Sequence, residues 1–174
     1  NIKGKMRVME GVAGLDKLRM DVIEGTVNTS GWVDTRGEFA EADLQVDMKD
    51  VDIRSAYETF VSVEKLMPMA RFAQGSAQVD MEYHSLLDNS FVPLYESIDA
   101  RGNAYTSGLR FYNLNEFVPL GDMLRNEKFT EMAPDEVSVG FTVKEGRIIF
   151  NPFDMQVDES KFTVSGSHGI DLSM

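Results

Sequence analysis

From Ala40 to Met48 the chain alternates strictly: Ala40, Ala42, Leu44, Val46 and Met48 are separated by Glu41, Asp43, Gln45 and Asp47. A period of two fits a strand with one buried and one solvated face, and it does not fit a helix. The same alternation recurs in Leu18, Met20 and Val22 against Arg19 and Asp21. It returns in Ala77, Val79, Met81 and Tyr83 against Gln78, Asp80, Glu82 and His84. Further strands are predicted over residues 2–9, 98–105, 136–143, 147–150, 153–157 and 161–165. One-sided alternation favours antiparallel pairing, because parallel strands are buried on both faces. Turn-forming residues separate the runs, at Glu24-Gly25, Thr35-Arg36-Gly37, Asp88-Asn89-Ser90, Glu145-Gly146 and Asp158-Glu159-Ser160. The pattern predicts a mainly β fold with short helices: one strongly curved antiparallel sheet, half-barrel or groove-like.

Two segments carry helical signals. Ser55 and Glu58 have capping-box spacing, and Ala56, Phe60, Val63 and Met67 form an apolar stripe. Pro68 is expected to start a second short helix that stops at Gly75. Another short helix is expected from Pro119 through Leu120, Met123 and Leu124. Both segments read as lids or end caps on the sheet.

At 174 residues and 43% hydrophobic, the chain is long enough for a single β-rich domain spanning residues 1–174. Its formal net charge of −12 opposes binding to nucleic acid and gives no pull toward an anionic bilayer. Cysteine is absent, so neither disulfides nor thiolate metal sites are available. No apolar run approaches the roughly 20 residues of a membrane span, and the first residues lack signal-peptide character. The ends at Asn1 and Met174 give the expectation of a piece cut from a longer protein, whose anchor or export signal lies elsewhere.

Chemistry-bearing groups are sparse. Ser165-Gly166-Ser167-His168-Gly169-Ile170-Asp171 gathers the residue types of a hydrolase triad. Neighbours on a strand point to opposite faces, however, and the glycines predict a tight connection or bulge instead. His84 falls on the polar face of its strand, too far in sequence from His168 for a ready zinc site. Asp47, Asp50 and Asp52 lack the rest of a calcium loop, and Gly11 to Lys17 lacks the Gly-Lys-Ser/Thr ending of a phosphate loop. No catalytic residue, metal site or cofactor is expected. The distinctive feature is the apolar strand face together with 11 Met and 11 Phe, since Met-rich surfaces adapt to mobile partners such as acyl chains.

Several pieces carry a resemblance. Glu58-Thr59-Phe60-Val61-Ser62-Val63-Glu64-Lys65-Leu66-Met67-Pro68-Met69-Ala70 precedes Gly75 and an alternating strand. Later come Phe117-Val118-Pro119-Leu120, the run from Gly146 to Asp154, and the run from Val164 to Asp171. In order and spacing these pieces resemble the AsmA-like C-terminal region family over residues 53–174, while residues 1–52 match only as generic strands. The resemblance implies a non-enzymatic periplasmic segment, anchored to the inner membrane through parts outside this chain and involved in outer-membrane biogenesis. It further implies a β-groove that shelters phospholipid acyl chains. Candidate lipid-facing residues are Leu44, Val46, Val79, Met81, Tyr83, Phe141 and Val143. The alternative is a scaffold that assists outer-membrane assembly without carrying lipid.

Overall fold

A computed structural model describes residues 1–22, 24–113, 131–157 and 159–170. Ten strands form one antiparallel sheet: β1 (Ile2–Met9), β2 (Val12–Val22), β3 (Gly25–Asp34), β4 (Ala40–Asp52), β5 (Ala73–Leu87), β6 (Asp99–Tyr112), β7 (Glu131–Met132), β8 (Ser138–Lys144), β9 (Arg147–Val157) and β10 (Ser160–Gly169). The spatial order is β1-β2-β3-β4-β5-β6-β8-β9-β10, with the two-residue β7 also on β6. This is the meander expected from one-sided alternation. The sheet is curved and does not close, so β1 and β10 are its two edges among the described residues.

Curvature has local causes. Register shifts interrupt the ladders between Lys3 and Lys5, Leu15 and Leu18, Met48 and Val51, Gln74 and Ser76, and Val164 and Gly166. Each extra residue bends its strand and sharpens the local twist. Lys17 and Asp50 occupy positive φ at two of these shifts, at 48° and 55°. Two hairpins turn on Glu-Gly pairs, Glu10-Gly11 and Glu145-Gly146, with all four residues at positive φ. That conformation matches the right-handed twist of the strands it joins.

The segment between β4 and β5 is helical, with a different start and stop from those expected. Helix α1 (Ile53–Thr59) is capped by Asp52, whose Oδ1 accepts from the Ser55 backbone N–H at 2.8 Å. Ser55 is therefore the third helical residue rather than the cap. The helix breaks at Phe60, which is extended at φ −109° and ψ 112°, and helix α2 (Val61–Leu66) follows. The expected single stripe from Ala56 to Met67 is thus divided between two short helices. Pro68 does open a turn, a 3-10 helix over Pro68–Phe72, but β5 begins at Ala73 and Gly75 lies inside it. At φ 125°, a Cβ on Gly75 would lie 2.8 Å from the Gly108 carbonyl oxygen, so this glycine serves a bulge and not a helix stop. The helix expected from Pro119 lies outside the described residues.

Strand β3 was not among the expected strands, and residues 147–157 form one strand where two were expected. The chain exposes 11225 Å², against about 8500 Å² for a compact monomer of this length. A broad, open single sheet among the described residues is consistent in kind with such an excess.

Candidate functional site

Pairing register sets which side chains share a face. On one side of the sheet, Met6, Leu15, Gly31, Leu44, Tyr83, Ala100, Val143, Ile148 and His168 follow one another across successive ladders. A second row runs Leu18, Thr29, Val46, Met81, Gly102, Phe141, Phe150 and Gly166. A third runs Ile2, Met20, Val27, Met48, Val79, Ala104 and Val139. The rows lie perpendicular to the strands. The longest row crosses eight inter-strand gaps of about 4.8 Å, a reach of roughly 38 Å, and the shortest crosses six, roughly 29 Å.

All seven candidate residues, Leu44, Val46, Val79, Met81, Tyr83, Phe141 and Val143, fall on this apolar side, distributed over the three rows. Their surroundings differ. Leu44, Val79, Met81 and Phe141 are half-buried, whereas Val46 is 8% exposed and Val143 is 2% exposed. Val143 is enclosed by Ile98, Ala100, Ile148 and Ile170, with Tyr83, Tyr95, Phe141 and Phe150 packed around them. The Tyr83 hydroxyl lies 2.7 Å from Ser85 Oγ, and burial pushes its phenol above the ordinary range.

Two features flank the face. At one end of β5 and β6, Ile53 of α1 packs on Ala73, Leu109 and Val137, together with Phe111, Phe153 and Met155. At the other end, the short 3-10 helix Tyr95–Ser97 brings Tyr95 onto the cluster around Val143. The helical segment is therefore a lid along one side, and the loop leading into β6 borders the other. Between them the middle row of Val46, Met81 and Phe141 crosses the sheet.

The opposite face is polar and acidic. Arg101 pairs with Glu82 at 2.6 Å, Lys161 with Asp154 at 2.7 Å, and Asn28 donates to Asp47 at 3.2 Å. His84 stands between Glu41 and Asp43, at 3.6 and 3.8 Å. The three aspartates considered for calcium do separate jobs. Asp47 is held by Asn28, Asp50 sits at the register shift, and Asp52 caps α1. Among the described residues no group of three or more His, Cys, Asp or Glu could hold a metal ion.

The serine and histidine of the triad-like string do not meet. Ser167 pairs with Ile149 and accepts from Arg147 Nη2 at 3.2 Å on the polar face. His168 pairs with Ile148 on the other face, where Nδ1 lies 2.9 Å from the Gly169 carbonyl oxygen and the ring lies 6.2 Å from that of Phe150. The strand runs regularly through both residues to Gly169. The expected bulge falls earlier, between Val164 and Gly166. Asp171 lies outside the described residues.

Two surface hollows of about 350 and 230 Å³ are lined by Asp21, Val22, Glu24, Gly25 and Thr26, and by residues around Lys17 and Asn28. Neither includes a candidate residue. No helix among the described residues is long and apolar enough to cross a membrane. The chain matches no protein-family profile, no curated protein and no solved structure.

Proposed function

We propose that this chain shelters the hydrocarbon tails of phospholipids on the apolar side of its sheet, as a non-enzymatic segment of an envelope protein of AsmA-like kind. The observation that carries the reading is the continuity of the apolar rows across the sheet, with Leu44, Val79, Met81 and Phe141 left partly exposed among the described residues. Backbone polar groups are satisfied within the ladders, so the surface offers a tail mainly side-chain carbon. The half-buried residues Leu44, Val79, Met81 and Phe141 are the contact surface. Val143 and Ile148, enclosed by their neighbours, support the sheet beneath it.

The mechanism is passive partitioning. Each methylene withdrawn from water contributes about 0.8 kcal/mol, so sheltering ten of them is worth roughly 8 kcal/mol before ordering costs. A tail lying along one row crosses strand after strand without meeting a charged side chain. The acidic opposite face gives no attraction for anionic headgroups, so tail contact supplies the affinity. In this reading the chain works in the periplasm, anchored to the inner membrane by parts outside it, and serves outer-membrane assembly.

A second reading, a scaffold that carries no lipid, draws on the filled cluster around Val143. The two readings separate in one experiment. Phospholipid bearing a photoreactive tail is presented to the protein, and the crosslinked residues are mapped. Tail-sheltering predicts adducts at Leu44, Val79, Met81 and Phe141, whereas the scaffold predicts none above the level at Glu82.

A further inference from the structure

We infer that the free edge of β1 receives an extended polypeptide strand in which apolar residues alternate with Asp or Glu. This inference does not rest on the lipid reading.

Every residue of β1 is exposed, and among the described residues the strand pairs only with β2. Its outward backbone N–H and C=O groups therefore lack a strand partner over Lys5 to Met9, the regular stretch beyond the shift at Gly4. On the apolar side the strand presents Ile2, Met6 and Val8, which are 67%, 64% and 64% exposed. On the polar side it presents Lys3, Lys5 and Arg7 and no acid, in a chain whose formal net charge is −12. Lys5 stands opposite Asp16 and Lys3 opposite Arg19, yet none of the three cations forms an ion pair among the described residues.

The other edge is differently built. On β10, Lys161 and Thr163 are both tied to Asp154 of β9, Ser167 is held by Arg147, and a register shift interrupts the strand. Three of its polar-side side chains are thus engaged within the sheet, whereas Lys3, Lys5 and Arg7 of β1 form no ion pair among the described residues.

Charge also selects the occupant. Two β1 strands related by a two-fold axis would set Lys3, Lys5 and Arg7 against one another. A β1 edge on the β10 edge of a second copy would meet Lys161, Thr163, Ser165 and Ser167, with no carboxylate. Like charges facing across a ladder are destabilising and opposite charges favourable, so the basic edge discourages the β1–β1 contact, gains no ion pair from β10 and favours an acidic strand. Such a strand would place its apolar residues beside Ile2, Met6 and Val8, widening the apolar face by one row position.

The test uses isotope-labelled 174-residue chain and a synthetic peptide of residues 40–48, Ala-Glu-Ala-Asp-Leu-Gln-Val-Asp-Met, which carries the required alternation. A control peptide carries Glu41→Lys, Asp43→Lys and Asp47→Lys. The acidic peptide is expected to slow amide exchange in Lys5 to Met9, to bind at least about tenfold more tightly than the control, and to weaken with added salt. The chain variant Lys3→Glu/Lys5→Glu/Arg7→Glu is expected to reverse the preference, a gain of binding that only folded protein can give. Equal binding of the two peptides, protection elsewhere than β1, absence of binding, or β1 protection by self-association without peptide would each overturn the inference.

Discussion

Val46 on β4 and Met81 on β5 face each other directly across their ladder, and Met81 has Gly102 of β6 on its other flank. The glycine leaves Met81 room to lie over the sheet. A Cβ on Gly102 would run into the Asp80 carbonyl oxygen and lie 2.7 Å from Met81 Cβ. Gly102→Ala is accordingly expected to destabilise the fold by about 1–3 kcal/mol, as overpacking does. Gly166→Ala, where a Cβ meets nothing within 4 Å, is expected to shift stability by less than about 0.5 kcal/mol. Urea denaturation of both variants measures the contrast.

Neighbouring isoleucines on β9 point to opposite sides. Ile148 is 3% exposed within the cluster around Val143, while Ile149 is 44% exposed on the polar face. Ile148→Ala should cost about 2–5 kcal/mol through lost transfer energy and the cavity left behind. Ile149→Ala should change stability by about 0.5 kcal/mol or less. Equal costs would mean that the two faces of β9 are wrongly assigned.

The lid depends on its cap. Asp52 satisfies the Ser55 N–H at the start of α1, and hydrogen bonding by the Ser55 side chain, then by its backbone N–H, holds the Asp52 carboxyl below its ordinary range. Asp52→Ala should lose about 1 kcal/mol, and Asp52→Asn should retain most of it. Because the folded value is depressed, the ionised cap contributes fully above the ordinary carboxylate value of 3.8 and is lost as pH falls from there through the lower folded value. Amide exchange in α1 at neutral pH and well below pH 3.8 reports both effects.

At the end of β3, Arg36 grips Asp34 through its side chain and its backbone N–H, and these hydrogen bonds lower the Asp34 carboxyl to about 2. Carbon-13 titration of the Asp34 carboxyl should place its midpoint near that value. In Arg36→Ala it should move back toward 3.8. A wild-type midpoint near 3.8 would show that the guanidinium does not hold the carboxylate in solution.

Much of this architecture was legible because alternation is unambiguous where large apolar and charged residues take turns. The run from Ala40 to Met48 is one case, and it lies within β4. Strand β3 was missed because its apolar-side positions include Thr29 and Gly31 beside Val27 and Val33, which dilutes the period. The first half of β2 was missed because the register shift before Leu18 reverses which parity faces the apolar side. Ser55 and Glu58 had capping-box spacing, but spacing alone does not say that Asp52, three residues earlier, already caps the helix. Gly75 read as a stop because glycine ends helices, and only the opposing Gly108 reveals the bulge. For the candidate site, the sequence placed all seven residues on one face. The enclosure of Val143 by Ile98 and Ile170 comes from segments outside its strand, so no local pattern carries it.

The central claim is that the row through Val46, Met81 and Phe141 contacts lipid tails, and Met81→Asp tests it most directly. A carboxylate at Met81 interrupts the apolar row, and the half-buried position lets water partly hydrate it. Folding should therefore survive with a loss of about 1–3 kcal/mol, while photo-crosslinking to phospholipid tails should fall at least about tenfold, equivalent to 1.4 kcal/mol or more of lost affinity. The control is Glu82→Gln on the opposite face, where an exposed pairing with Arg101 is worth under about 1 kcal/mol; it should leave both quantities near wild type. Melting temperature and crosslinked phospholipid are measured together on wild type and both variants. Folded Met81→Asp protein that has lost its tail crosslinks is the predicted result, and folded Met81→Asp protein that crosslinks tails as wild type does would contradict the account.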